Sequence, residues 1–191
     1  MLDGATLTGA SFEHATLSNA RFIDANLQEV SFRNASIPDT TFGMCNLKGS
    51  VFDEANLSGS DLTEAILDEA SFQDANLESI VLQSQNAKGL DFTDANLSGG
   101  NLRDVRLDAA RFSGARLVET RFDRADISDA VITDAKASGA ASSTRTLNGS
   151  RSIRPSSSAP ISRAHRCTGR CSNRHASEGE PSSMRLTPKR T

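Results

Sequence analysis

The sequence predicts an all-β solenoid over residues 1–135, a square coil whose backbone turns a corner once every five residues, followed by a basic tail over residues 136–191. Three observations predict it. A large apolar residue recurs at every fifth position. A small residue recurs two positions upstream of it. Both series fade where the charge of the chain changes sign.

The large-residue series starts at Leu2 and runs Leu7, Phe12, Leu17, Phe22, Leu27 and onward to Ile132; 26 of its 27 members are Leu, Phe or Ile, and Ala87 is the exception. All nine Phe of the chain fall in this phase, and the chain has neither Trp nor Tyr. The small-residue series runs Ala5, Ala10, Ala15, Ala20, Ala25 to Ala130, with Thr40, Cys45, Ser50, Ser60 and Gly100 among its members. The other three positions of each pentad are mostly polar. Apolar residues make up only 37% of the chain, below the 45–50% or so of ordinary domains. A regular architecture that buries nearly every one of them is therefore required.

A period of five fits neither common element. On an α-helix, five residues turn by about 500°, so successive large residues would wind around the cylinder. In a flat strand side chains alternate, so an odd spacing sends successive large residues to opposite faces. The period works if each pentad ends in a corner of about 90°. Four pentads then close one square coil, the large and small residues point inward, and stacked coils pair their backbones at the ~4.8 Å strand spacing.

The repeated unit reads Ala-(Asp/Asn)-Leu-x-x in Ala25-Asn26-Leu27, Ala55-Asn56-Leu57, Ala75-Asn76-Leu77, Ala95-Asn96-Leu97 and Ala125-Asp126-Ile127. This resembles the pentapeptide-repeat proteins over about 135 of the 191 residues, with no insertion or phase slip. The resemblance implies a right-handed quadrilateral β-helix; the hand comes from the family, not from the period.

Residues twenty apart are expected to stack. One wall then carries Phe12, Phe32, Phe52, Phe72, Phe92 and Phe112, ending in Ile132, and the opposite wall mixes Leu2, Phe22, Phe42, Leu62, Leu82, Leu102 and Phe122. Asn56, Asn76 and Asn96 are expected to form an exposed amide ladder, and Asn26 with Asn46 another. The Ala87 pentad departs twice, since Gln85 fills its small slot. Either the repeat has decayed, with Leu90 in the next small slot restoring the volume, or a local bulge serves a binding site.

Signals for an enzyme are sparse, and none is expected: no catalytic, cofactor or metal residues are assigned. Over residues 1–135 the chain has one His, His14, in an outward slot, and one Cys, Cys45, in an inward one, where it reads as a small hydrophobe. Ser98-Gly99-Gly100-Asn101 continues the pentad pattern rather than making a phosphate loop. The outward carboxylates are the more informative feature. Glu54, Asp74 and Asp94 lie twenty apart and should form a column, with Asp53, Asp61, Glu64, Asp68, Glu69 and Glu78 around them; through residue 100 there are 15 acidic residues against 4 basic. Such a surface is a solvated face, a protein-binding face, or a mimic of the phosphate array of duplex DNA. The quinolone-resistance branch of the family works in the last way, binding DNA gyrase and topoisomerase IV as a duplex surrogate. This sequence departs from that branch in having no loop between coils, no helical N-terminal cap and no recognisable C-terminal dimerisation segment. The expected function is a non-enzymatic protein-interaction solenoid with an acidic convex surface, the gyrase or topoisomerase IV inhibitor being the alternative. The expected partner is another protein, with no specific nucleic acid.

Arg106, Arg111, Arg116 and Arg121 lie five apart and should ring one coil. With Asp104, Asp108 and Asp123 close by, they read as a charge band met by acidic neighbours rather than as a nucleic-acid site.

Residues 1–135 hold 22 Asp+Glu and 10 Lys+Arg, whereas residues 136–191 hold 2 and 11. The tail also contains 13 Ser and four of the five Pro, a composition that reads as disordered. Its charge suits acidic partners, nucleic acid or the acidic solenoid itself, and an unselected extension is a further reading. His165, Cys167, Cys171 and His175 are zinc-capable types at a spacing that matches no standard finger. No stretch approaches the ~18 apolar residues of a membrane span, and Met1-Leu2-Asp3-Gly4 lacks the layout of a secretory signal. A soluble, cytoplasmic protein is the expectation. The solenoid starts in phase at residue 2 without a cap, so its first coil should present an unpaired backbone edge. Homodimerisation through that end, an upstream segment or a partner is expected to cover it.

Overall fold

The computed structural model describes residues 1–83 and 85–140. They form a right-handed quadrilateral β-helix. Parallel bridges join residues that precede a large apolar one to their counterparts twenty positions on, as in Thr6 with Asn26, Asn26 with Asn46 and Arg116 with Lys136. Coil 1 is therefore residues 1–20, coil 2 residues 21–40, and so on to coil 7, residues 121–140. Each coil has four short bridging segments and four corners.

The backbone amides show why the pentad has the composition it does. In the pentad around Leu27, the Leu27 and Glu29 amides donate to the Asn46 and Lys48 carbonyls of the next coil, both at 2.8 Å. The Asn26 amide donates back to Ala5 of the previous coil, also at 2.8 Å, and Val30 closes the corner onto the Leu27 carbonyl at 3.3 Å. One amide is left over, that of Gln28 at the first corner position, and the Asn26 side chain accepts it through Oδ1 at 3.3 Å. The same Asx contact recurs from Lys48 to Asn46, Ser58 to Asn56, Thr63 to Asp61, Glu78 to Asn76 and Ser128 to Asp126. A buried or half-buried amide without a partner is costly, which accounts for Asp or Asn directly before the large residue.

The second corner position carries a left-handed backbone throughout the described chain: 19 non-glycine residues and eight glycines have φ between 54° and 71° there. With the closing bond from the fourth residue to the first, this is the geometry of a type II turn. It turns the chain through the corner that the period of five requires.

Inside, the first wall is a continuous stack. Phe12, Phe32, Phe52, Phe72, Phe92 and Phe112 follow one another with ring centroids 4.9–5.5 Å apart and planes within 16°. Phe22 and Phe42 stack likewise on the opposite wall at 5.3 Å. The two walls meet edge to face across the interior, as Phe32 meets Phe42 and Phe42 meets Phe52, each at 5.8 Å. Polar residues in the small slot all find the same partner. Cys45, Ser50, Ser60, Thr40 and Thr120 reach the carbonyl of the large residue 23 positions earlier, at 2.6–3.1 Å. Gly100 leaves room for the bulky Ile80 one coil earlier, whose Cγ2 would lie 3.3 Å from an added Cβ.

The Asn56–Asn76–Asn96 ladder forms, with Nδ2 to Oδ1 distances of 3.0 and 3.1 Å, but it is half-buried between coils rather than exposed. The coil also continues past residue 135: Leu117 pairs with Lys136 at 2.7 Å and Glu119 with Ser138 at 3.0 Å. Ala137 occupies the large slot there. Side-chain periodicity ends one pentad before backbone periodicity because coil 6 templates the pairing whatever side chain is present. Coil 1 leaves Leu2, Leu7, Phe12 and Leu17 only partly buried against the core. The basic segment beyond residue 140, including His165, Cys167, Cys171 and His175, lies outside the described residues.

Candidate interaction surface

The interior is filled by side chains, so exposed chemistry lies on the bridging segments and corners. The corner after the Phe12 wall carries Glu54, Asp74 and Asp94 in successive coils, all exposed. Asp53 shares that corner but faces inward along the surface. It accepts from the Ser71 hydroxyl at 2.5 Å and the Gln73 amide at 3.2 Å, and pairs with Arg33 at 2.9 Å. It ties coil 3 to both coil 2 and coil 4 and offers little to a partner.

The remaining carboxylates occupy other corners. Glu78 lies one corner on, Glu64 on the corner opposite Glu54, and Asp68 and Glu69 on the fourth. Asp61 caps the Thr63 amide at 2.9 Å from the segment leading to Glu64, and Glu69 lies 3.6 Å from Lys48. The nine predicted residues thus belt the rod, and only Glu54, Asp74 and Asp94 form a column.

Most arginines of coils 6 and 7 are tied into the stack, Arg121 being the exception. Arg103 pairs with Asp123 of the next coil at 3.0 Å, and Arg124 reaches back to Asp104 at 2.5 Å, with a second contact at 2.6 Å. Arg111 lies 3.7 Å from Asp91, and Arg116 donates to Ser98 at 3.0 Å. Asp108 takes Lys88 at 2.8 Å and Arg106 at 3.8 Å. The guanidinium beside Asp104 holds its carboxyl below the ordinary value, as Arg21 does for Asp3. Asp126 is lowered by its hydrogen bonds to Ser128.

Cys45 is buried, and desolvation raises its thiol to about 11. His14 is an exposed corner residue with φ 58°. Among the described residues no group of three His, Cys, Asp or Glu could hold a metal ion, and no helix is long and apolar enough to cross a membrane.

The Ala87 pentad follows the first of the two readings made for it. Ala87 is buried, Gln85 turns inward to donate to the Leu62 carbonyl, and Leu90 fills the next small slot. That is repeat decay with volume repair. The exchange nonetheless disturbs the surface. No backbone bond joins Ala65, Leu67 or Glu69 of coil 4 to Asn86 or Lys88 of coil 5, although Leu62 with Val81 and Phe72 with Asp91 keep theirs on adjoining faces. Ile66, in the middle of this open rung, is 50% exposed, and Met44, one coil earlier at the corner leading to it, is 51% exposed. Neither was singled out in the sequence. The available signal was an apolar residue in an outward slot beside the Ala87 pentad.

A family profile described as pentapeptide repeat region matches residues 2–72, and one described as pentapeptide repeats (8 copies) matches residues 75–114 and 106–140. Comparison with curated proteins gives no match. Among solved structures, the chain is similar to HetL of the cyanobacterium Nostoc sp. strain PCC 7120, a pentapeptide repeat protein involved in heterocyst differentiation regulation. Identity there is 22%, with 78% of this chain and 87% of that chain covered and a TM-score of 0.35. Full-length QnrB1, a plasmid-mediated fluoroquinolone resistance protein, is 16% identical over 73% of this chain and 92% of its own, with a TM-score of 0.29. Rfr23 from the cyanobacterium Cyanothece 51142 is 18% identical over 76% and 89%, with a TM-score of 0.23.

Proposed function

Because the chain belongs to the pentapeptide-repeat family, we propose that it is a non-enzymatic interaction solenoid whose acidic outer surface binds another protein. The observation that carries this reading is the column of Glu54, Asp74 and Asp94. The three carboxylates are exposed, repeat at the coil spacing, and have no cation beside them among the described residues. The arginines at the other end of the rod are, by contrast, largely occupied by neighbouring coils. An unneutralised column on a rigid rod steers a basic partner and fixes its register more than it adds raw affinity. The Glu54→Gln/Asp74→Asn/Asp94→Asn triple variant keeps shape and removes charge. A captured partner that binds it as tightly as the parent chain, with the same salt dependence, would refute this reading.

A second reading treats the same column as a surrogate for duplex DNA, acting on DNA gyrase or topoisomerase IV. The regular spacing of fixed negative charge along a rod favours it. Unchanged supercoiling and decatenation at micromolar protein would remove it and leave the first reading standing.

A further inference from the structure

The open rung between coils 4 and 5 joins three features found together nowhere else on the described surface. Its backbone is unpaired: the Leu67 and Glu69 amides and the Asn86 amide have no partner across the rung. Its centre is apolar, with Ile66 half exposed. Its two ends carry carboxylates, Glu64 at the corner before Ile66 and Asp68 and Glu69 at the corner after it, with Lys48 3.6 Å from Glu69 and Lys88 of coil 5 engaged by Asp108. An extended segment that placed an apolar side chain between two cations would match it in charge, in apolarity and in hydrogen-bonding need.

The chain itself contains such a segment. Residues 141–191 carry ten Lys+Arg against two Glu, and Arg151-Ser152-Ile153-Arg154 has the required order of cation, apolar residue and cation. The described solenoid ends at Ala140 in coil 7, three coils beyond the rung, a distance of about 15 Å along the axis at strand spacing. The 13 residues from Ala140 to Ile153 reach up to about 43 Å at ~3.3 Å each, enough to go round a corner as well. Tethering places the segment at roughly millimolar effective concentration, so a weak contact suffices.

We infer that Arg151–Arg154 docks on the open rung in cis, seating Ile153 against Ile66 with its arginines toward Glu64 and toward Asp68 and Glu69. The contact covers the apolar spot and the unpaired amides, and masks part of the acidic belt from other basic partners. It needs no such partner, so it stands or falls separately from the function proposed above.

The test is hydrogen exchange on the full chain without any partner. At low salt the Leu67, Glu69 and Asn86 amides should exchange about tenfold more slowly than in 0.5 M salt, where the Debye length falls to a few ångströms. Arg151→Glu/Arg154→Glu and Glu64→Arg/Glu69→Arg should each abolish that protection, and the two reversals combined should restore it. Salt-independent exchange in all variants, or no restoration in the combined one, would overturn the inference. So would protection that grows with protein concentration, which would place the segment of a second copy on the rung.

Discussion

Phe72 lies on Phe52 with ring centroids 5.0 Å apart and planes within 1° of parallel. Both rings are inaccessible to solvent and belong to a stack running through six coils. Truncating such a residue removes the transfer energy of the ring and leaves a void that neighbouring coils, held by their own ladders, cannot close. Phe72→Ala should destabilise by about 3–5 kcal/mol, read as a lower urea midpoint, and Phe72→Asp should prevent folding. A charged residue tolerated at this position would contradict the whole interior arrangement.

Asn76 does two jobs that substitution can separate. Its Oδ1 accepts the Glu78 amide and the Asn96 side chain, and its Nδ2 donates to Asn56. Asp retains the acceptor roles and loses the donor; Ala loses all three. Asn76→Ala should cost about 1.5–4.5 kcal/mol for three bonds at ~0.5–1.5 kcal/mol each, and Asn76→Asp clearly less. Equal losses in chemical denaturation would show that the amide ladder, rather than the corner cap, carries the energy.

Ala109 sits at an exposed corner with φ 61°. An L-residue with a Cβ is strained there by about 1–2 kcal/mol, whereas glycine is not. Ala109→Gly should therefore raise stability, by about 0.5–1 kcal/mol once glycine's greater freedom in the unfolded chain is counted. This is the reverse of what the same change does inside a helix or strand. A lower thermal midpoint for the variant would argue against the corner geometry.

Asp3, Asp104 and Asp126 all titrate below their ordinary value of 3.8. A carboxyl depressed in the folded state stabilises it above the unfolded pKa, and that stability disappears as pH falls through the folded value. Stability should thus hold from pH 7 to about 5 and decline below the usual carboxylate range. Asp104→Asn should flatten part of the decline, and since the Arg124 pair is exposed, added salt should weaken its share. Urea midpoints at pH 7, 5, 4 and 3 for parent and variant read both effects.

Cys45 has the opposite sign. Burial raises its thiol to about 11 from 9.0, so its contribution is complete below pH 9 and lost as pH rises toward 11. At neutral pH it should resist alkylation in the folded chain and react in denaturant, as mass spectrometry of the peptide containing Cys45 would show. Rapid native labelling of Cys45 would mean that coil 3 opens locally.

Much of this molecule is legible without coordinates because a solenoid's contacts are almost all set by one register. Once the large residue recurs every five positions, Phe52 must stack between Phe32 and Phe72, and Asn76 between Asn56 and Asn96. The candidate surface was less legible. Asp53 and Asp74 look alike in sequence, yet Asp53 is consumed by Ser71, Gln73 and Arg33 whereas Asp74 stays exposed, because one follows the large residue directly and the other stands at the left-handed corner.

By itself the sequence determined the square coil, the identity of every interior wall and the coming change of charge, since each depends only on which side chains recur at which interval. Tertiary structure alone decided which carboxylates remain free, that pairing runs on to Ser138, and that one rung near Ile66 stays open. Those outcomes depend on hydrogen-bond partners supplied by the coil above or below, and on how Gln85 and Ala87 share the volume of a missing large side chain. No interval along the chain encodes such a competition.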